Sequence, residues 1–326
     1  MGVREIQRFR RRLMRLEVMR SMVGTAAEQL RHRGTPPGGV VRVRSRFVWT
    51  EPRHDAALSD RRLPERARRP SATRILTPRG VALRLYLIAL YEAQARGTAV
   101  DRVPVNDMPL CGAGRETGWT DLIAVPVQHQ ARGRVVQSVT DKKLRALQSA
   151  LAHLASTEVQ LVHLPYGGAR AGRFEGFQLL HESGAQEGPH ALAYTVPRRD
   201  EPCVLLPAEM FTRGWIHLLE DSEIVFLMML LHERRRAGHS DWVKVESEVR
   251  LSGYGVGRDS YAAHRALDLF GLVSVSVSPD RDENGRSKDF DRFHLPPLHQ
   301  FRVNGEAFEQ AAVEVVSKAL TQGVQG

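Results

Sequence analysis

The sequence predicts a mainly helical α+β protein in which a unit of helices followed by a small β-hairpin occurs twice, behind an arginine-rich N-terminal extension. The first observation is a pair of segments with apolar residues at helical spacing, followed by two short β-branched segments around a glycine-rich turn. The second is that a similar order of segments recurs in the C-terminal half. The third is charge: residues 1–79 carry 20 Arg and 7 acidic residues, whereas the remaining 247 residues carry 27 basic and 30 acidic ones.

The composition of the chain limits the classes of protein to which it can belong. Its 326 residues, of which 42% are apolar, suffice for one large domain or two of ordinary size. The two cysteines, Cys111 and Cys203, form no CxxC motif, which excludes a disulfide framework and a structural zinc site and favours a reducing compartment. No apolar run reaches the roughly 18 residues of a membrane span, and the N-terminus lacks the apolar stretch of a secretory signal. We therefore expect a cytoplasmic protein that does not contact membranes.

Residues 1–74 are predicted to form a largely flexible, arginine-rich extension. Ile6, Phe9, Leu13 and Leu16 recur at helical spacing, which predicts a short basic amphipathic helix over 3–20. Glycines and prolines interrupt residues 31–74, which predicts an irregular linker with a short strand at 40–48. Such an extension suits an arm that neutralises phosphates without reading sequence. The alternatives are an unused solvated extension, oligomerisation through the apolar face, and docking on an acidic partner.

The first repeated unit is predicted over residues 75–182. A helix begins at Thr77-Pro78, where threonine is a good cap and proline a good first residue, and ends near residue 96. A loop-rich insertion covers 97–133. A second helix starts at Thr140-Asp141 and carries a leucine stripe. The hairpin consists of Val159–Leu164, a turn at 167–173 and Phe174–Leu180.

The second repeated unit is predicted over residues 204–326, after a linker at 183–203. A short element at 207–219 leads to a helix that Asp221 and Ser222 cap and that ends near Arg236. The remaining predicted elements are a short helix at 244–251, a glycine turn at 253–257, a helix over Arg258–Phe270 ended by Gly271, strands at 272–278 and 290–295, and a final amphipathic helix over 304–320. The final helix suits either packing back on the protein or dimerisation.

The segment from Arg258 to Val273 resembles the recognition helix and first wing strand of winged helix-turn-helix DNA-binding proteins. Ala263, Leu267, Gly271 and Leu272 occupy the characteristic apolar and glycine positions of that motif. Thr140–Leu164 has the same order of a helix that leads into a wing strand. Residues 75–300 therefore resemble the tandem winged helices of bacterial plasmid replication initiators and related regulators. The resemblance implies two winged helix-turn-helix modules that bind double-stranded DNA.

The resemblance also implies a biological role. It predicts a transcriptional regulator, or a replication initiator of a plasmid, phage or other mobile element, located on the nucleoid or a plasmid. The implied partners are duplex DNA, a second copy of the chain, and the replication or transcription machinery. The alternative from another class is a protein-interaction scaffold that uses winged helices without binding DNA.

The DNA contacts are predicted on the exposed faces of the two recognition helices, since an α-helix fits the major groove. Arg258 and Arg265 are candidates for guanine or phosphate contacts, with Ser260 and Tyr261 as phosphate donors. The further predicted DNA-binding residues are Lys142, Lys143, Arg145, Gln148 and Ser149 on the first module, Arg170 and Arg173 on its wing, and Arg286 and Lys288 on the second wing. The second wing and its flanks carry a net charge of −1, so this wing gains little from counterion release and could point away from DNA or engage a protein.

The sequence predicts neither catalysis nor a cofactor. It contains no HExxH, GxSxG or GxxxxGK[ST] motif. The glycines at 253, 255 and 257 follow a helix rather than a strand, so they do not form a dinucleotide loop. The histidines lack the spacing of metal ligands, so no metal site is expected.

Overall fold

A computed structural model describes residues 3–52, 63–77, 80–126, 138–168, 172–187, 192–238, 240–281, 288 and 297–325. The protein is about 50% helical with small two-stranded antiparallel sheets, so the predicted α+β class is confirmed. The helices are α1 (Val3–His32), α2 (Ser45–Val48), α3 (Ser71–Arg74), α4 (Ala82–Ala95), α5 (Val139–Leu154), α6 (Glu209–Thr212), α7 (Trp215–Leu218), α8 (Asp221–Arg236), α9 (Arg258–Tyr261), α10 (His264–Leu269) and α11 (Ala312–Gln325). The strands are β1 (Val40–Arg44), β2 (Val162–His163), β3 (Gln178–Leu179), β4 (Cys203–Pro207), β5 (Val273–Ser276) and β6 (Gln300–Val303).

The N-terminal segment packs into the core, whereas a flexible extension was predicted. Helix α1 continues to His32, twelve residues beyond its predicted end. Phe9, Leu16, Val23 and Leu30 are buried along one face at seven-residue intervals, and α1 packs on α11, α6 and α7. The sequence prediction stopped early because the second half of α1 contains weak helix formers, including a glycine, whose low propensity the tertiary packing overrides.

Strand β1 joins the N-terminal segment to the middle of the chain. It pairs with β4 in antiparallel register, with Val41 opposite Leu206 and Val43 opposite Val204. The strand prediction at 40–48 is therefore confirmed for its first half, but its partner lies where a linker and a short element were predicted. Arg44, at the end of β1, forms ion pairs with Glu182 (2.8 Å) and Glu201 (2.6 Å).

In the first half of the chain the helix–helix–hairpin order is confirmed, with one shifted boundary. Helix α4 begins at Ala82 rather than at Thr77-Pro78, and it is buried on nearly every side. Helix α5 begins within two residues of its predicted start, because the Ser138 side chain accepts from the Asp141 amide while the Asp141 carboxylate accepts from the Ser138 amide. The hairpin consists of β2 and β3. One turn of 3-10 helix, Trp119–Asp121, lies inside the predicted insertion and contacts α5.

In the second half, two predicted elements differ from the structure and a third lies outside the described residues. Instead of a helix at 244–251 there is one wide helical turn, Val249–Gly253. The helix predicted over 258–270 is broken into α9 and α10. Strand β5 pairs with β6, and the strand predicted at 290–295 lies outside the described residues. Helix α8 starts at Asp221, so Glu220 is its N-cap and not the predicted Asp221 or Ser222. Gly271 has a φ of +73°, as its predicted capping role requires.

The two halves share an order of elements that positions the candidate site. The first runs α4, the turn at 119–121, α5, β2 and β3. The second runs α8, the turn at 249–253, α9 with α10, β5 and β6, and the single residue Val243 adds a bridge to Phe301 of β6. The final helix α11 begins at Ala312 and packs back on α1, one of the two roles predicted for it.

Candidate nucleic-acid interface

The start of α9 presents an exposed arginine. Arg258 follows the tight turn at 253–257, in which Gly255 has a φ of +65°, a conformation that favours glycine. The Arg258 side chain is exposed and makes no ion pair or side-chain hydrogen bond with any described residue. Ser260 and Arg265 are half-buried on α9 and α10. The structure therefore places Arg258 where the sequence predicted it, at the outer start of the broken helix.

Tyr261 lies differently from the prediction. Its ring packs inward against Phe226 (centroids 5.8 Å apart) and Phe301 (6.1 Å), and burial raises the pKa of its hydroxyl. The Arg250 guanidinium lies 4.7 Å from the centre of the Tyr261 ring and donates to the Val256 carbonyl at 2.6 Å. Burying the apolar Tyr261 ring stabilises the fold more than exposing its single hydroxyl group would. Tyr261 therefore packs α9 against α8 and does not lie on the outer face. The contact between Arg250 and Tyr261 could not be predicted from spacing, because it joins two different helical elements.

Helix α5 presents part of its predicted polar face. Arg145 and Ser149 are exposed, and Lys142 and Gln148 are half-buried beside them. Lys143 is not on this surface, which corrects the prediction: its ammonium is buried and donates to the Thr120 carbonyl at 3.0 Å. Burial lowers the pKa of Lys143. The helical period alone could not reveal this, because the turn that covers Lys143 comes from the inserted segment.

The predicted wing residues are only partly described. Arg170 and Arg286 lie outside the described residues. Arg173 is exposed, with its guanidinium 5.2 Å from the centre of the Phe174 ring. Lys288 is exposed and donates to the Pro279 carbonyl at 2.8 Å, so its ammonium is held beside the end of β5.

A basic segment that the sequence assigned to a linker connects the two halves. This segment, residues 63–75, is called the arginine bridge below. Leu63 packs so closely on Gly257 that a side chain there would lie 2.9 Å from it, and Arg69 packs on Gly255. At its other end Arg74 donates to the Glu158 carbonyl (3.3 Å), and the Ile75 carbonyl lies 3.3 Å from His153 Nε2 of α5.

The arginine bridge concentrates positive charge beside α9. Arg66 and Arg68 are exposed, and Arg69 is half-buried. Burial, together with the neighbouring Arg66 charge, lowers the pKa of Arg69, as expected where like charges are crowded. A bound anion would relieve this repulsion. Leu63 and Arg69 pack on the 255–257 turn that precedes α9, so a pattern in sequence could not have grouped this segment with that turn. The Arg66 guanidinium also donates to the Arg74 and Leu76 carbonyls, at 2.8 Å and 3.1 Å.

Comparisons of the chain with protein-family profiles, curated proteins and solved structures give no match. Within the described residues, no group of three or more His, Cys, Asp or Glu side chains is arranged to hold a metal ion. No helix in the same part of the chain is long and apolar enough to cross a membrane.

Proposed function

We propose that the protein binds double-stranded DNA as a tandem winged-helix protein, in the role of a transcriptional regulator or a replication initiator of a plasmid, phage or mobile element. The observation that carries the proposal is the exposed Arg258 at the start of α9, with the arginine bridge packed on the turn that precedes it. An arginine at the start of a helix in the major groove can donate two hydrogen bonds to guanine. The bridge arginines supply phosphate contacts that fix the register of the helix on the duplex.

The arrangement of the second half supports this proposal. Its order is helix α8, the bridge residue Val243, a helical turn, the broken helix α9–α10, and strands β5 and β6. A winged helix-turn-helix has this order, with the third helical element as the one that reads bases. The first half repeats the order with α5 in the reading position, and Arg145 and Ser149 on its exposed face.

The proposal is tested by selecting bound sequences from a random duplex library and then measuring affinities. We expect an enriched motif, and we expect Arg258→Ala to weaken binding to that motif by about 1–3 kcal/mol and binding to random duplex much less. Arg199→Ala is the matched control, because Arg199 is also exposed but lies outside the candidate surface. It should bind both duplexes like the unmodified protein.

Two outcomes would contradict the proposal. If no motif is enriched and duplex DNA is not shifted at moderate salt, the protein is a scaffold rather than a DNA-binding protein. If Arg258→Ala and Arg199→Ala behave alike on the enriched motif, α9 does not read bases. An enriched motif that occurs as an array of short direct repeats beside the gene would favour a replication initiator over a regulator.

A further inference from the structure

Helix α1 exposes one face to solvent, opposite the apolar residues that it buries. At 3.6 residues per turn, five exposed residues within 10–18 fall in one arc of about 140° around the helix. This arc is called the basic face of α1 below, and it consists of Arg10, Arg11, Met14, Arg15 and Val18. Phe9 and Leu16, through which the sequence suggested oligomerisation, lie on the other side in the core.

The three arginines of the basic face are not neutralised within the described part of the chain. Their neighbours Arg8 and Arg12 pair with two glutamates at the start of α8, at 2.6 Å and 2.5 Å. Arg10, Arg11 and Arg15 make no ion pair or side-chain hydrogen bond with any described residue. The nearest carboxylates of α8 are therefore already engaged, and three guanidinium groups remain for a partner.

The arginines of the basic face also repel one another. Arg11 and Arg15 are four residues apart, a spacing at which like charges destabilise an exposed helix. The neighbouring carboxylate of Glu17 pairs with Arg20 at 3.3 Å. Carboxylates that a partner brings to this face would remove the repulsion, and a guanidinium group can bind a carboxylate through two parallel hydrogen bonds.

Apolar side chains lie among these charges. Met14 is 63% exposed and Val18 is 50% exposed, and at a spacing of four residues the two are neighbours on the helix surface. A phosphate backbone offers no apolar surface to cover them. A membrane would require a broad apolar face, and the broad apolar face of α1 is buried in the core. Met14 and Val18 therefore favour a partner with apolar side chains, and methionine adapts well to such contacts.

We propose that the basic face of α1 binds an acidic amphipathic helix of a partner protein, in which Asp and Glu flank a stripe of apolar side chains. The apolar stripe covers Met14 and Val18, and the carboxylates pair with Arg10, Arg11 and Arg15. Amphipathic helices are commonly recognised through apolar contacts at helical spacing, and complementary charge around those contacts sets the choice of partner.

This surface is separate from the proposed DNA-reading residue. The Arg12 guanidinium of α1 lies 4.8 Å from the centre of the Phe270 ring, directly after the end of α10. Arg258 lies at the other end of the same broken helix, at the start of α9. Binding of an acidic helix to α1 therefore does not rest on the proposed function.

The test measures binding of the full chain to a fluorescein-labelled synthetic peptide with leucines at helical spacing and glutamates at the other positions. We expect saturable binding of one peptide per chain by fluorescence anisotropy. The triple variant Arg10→Gln, Arg11→Gln, Arg15→Gln should weaken binding at least about tenfold, because it removes all three ion pairs. Since the three positions are exposed, its circular dichroism spectrum should match that of the unmodified protein.

The matched control for charge is the triple variant Arg102→Gln, Arg115→Gln, Arg199→Gln. These arginines are also exposed but lie outside α1, and the change in net charge is the same. This variant should bind the peptide like the unmodified protein.

The apolar contribution is measured separately. Met14→Ser with Val18→Ser should weaken peptide binding about tenfold, because less apolar surface is covered. A peptide with serine in place of leucine should bind the unmodified protein weakly for the same reason. The control variant Val100→Ser with Leu192→Ser should bind normally, since both side chains are exposed outside α1.

Three outcomes would overturn the proposal. The first is absence of saturable binding, or equal affinities of the two arginine variants. The second is equal affinity for the leucine and serine peptides, which would show a surface that recognises charge alone. The third is a loss of affinity for random duplex DNA or for phosphatidylserine vesicles in the α1 arginine variant while its peptide affinity is unchanged. The peptide measurements contain no DNA, so the proposal and the proposed function can fail independently.

Discussion

At the scale of single residues, the buried His217 side chain affects how the stability of the protein depends on pH. His217 on α7 is 3% exposed, and its Nε2 atom has no hydrogen-bond partner among the described residues. Burial, followed by the nearby Arg84 and Lys143 charges, lowers the pKa of His217 to about 3. The imidazole therefore stays neutral in the folded protein at pH values where an unfolded chain would protonate it.

This lowered pKa predicts sensitivity to acid. Below the unfolded pKa of about 6.5, the unfolded chain binds a proton at His217 that the folded protein does not, so stability falls as the pH drops toward 3. Replacing His217 by leucine removes this difference in proton binding between the unfolded and folded states. Between pH 7 and pH 5 the variant should lose about 2 kcal/mol less unfolding free energy than the unmodified protein, measured by urea denaturation.

The matched control for this prediction is His163→Leu, because His163 is exposed on β2. It should retain the pH dependence of the unmodified protein. If His217→Leu and His163→Leu showed the same pH dependence, the buried His217 would not be the source of the acid sensitivity.

At the scale of elements, α1 is held by close contact with the turn before α7. Gly214 has a φ of +85°, and a Cβ atom there would lie 2.8 Å from Val23 Cγ1 of α1. Gly38 has a similar φ of +74° but no neighbour within 4 Å. An alanine at Gly38 therefore adds only backbone strain, whereas an alanine at Gly214 also disturbs the packing of α1. Comparing the two substitutions separates these effects.

We expect Gly38→Ala to cost about 1–2 kcal/mol, because it adds only left-handed strain. Gly214→Ala should cost that amount plus about 1–3 kcal/mol of overpacking against α1. Urea denaturation of both variants checks this difference. Equal destabilisation would show that α1 does not pack closely on this turn.

The arginine bridge is the second element that makes a measurable prediction. Replacing Arg66 and Arg68 together by glutamine removes two exposed charges, and the slope of log affinity against log salt should become shallower by about 2. The preferred sequence should not change, because phosphate contacts carry no base information. Titration of one duplex at several salt concentrations measures the slope.

The paired control for the bridge is Arg198→Gln with Arg199→Gln. These two arginines are also exposed, but they lie in the segment before β4. This variant should keep the unmodified slope. If both double variants flattened the slope equally, the effect would come from net charge rather than from the bridge.

At the scale of the whole molecule, buried ion pairs tie the segments together. The Arg12 guanidinium of α1 meets the Glu223 carboxylate of α8 at 2.5 Å and 2.7 Å, and neither side chain is more than 7% exposed. Arg84 of α4 pairs with Asp221 of α8 at 3.2 Å and donates to the Leu219 carbonyl at 3.1 Å. Because the first and second halves share these contacts, neither buries its polar groups alone.

This interlocking predicts one cooperative unfolding transition. Far-ultraviolet circular dichroism and tryptophan fluorescence should report the same urea midpoint, since the tryptophans lie in both halves of the chain. Deleting residues 1–34 should abolish folding rather than release an intact core, because the deletion removes the buried face of α1. Two separate transitions, or a folded truncated protein, would contradict this expectation.

The sequence by itself determined the features that depend on local pattern. The leucine stripe predicts α5, and the predicted starts at Thr140-Asp141 and Asp221 lie within two residues of the observed caps Ser138 and Glu220. Gly271 ends α10 as expected. The first hairpin, strand β5 and the exposed Arg258 also follow from local pattern, because periodicity and turn chemistry act over a few residues.

Only the tertiary structure decided what depends on contacts between distant residues. It placed α1 in the core, paired β1 with β4, turned Tyr261 inward and buried Lys143 under the turn at 119–121. It also brought the arginine bridge to the start of α9. Propensity and spacing describe a segment and its own faces, whereas these outcomes depend on which other segment covers each face, and that choice is made by the free energy of the whole packed chain.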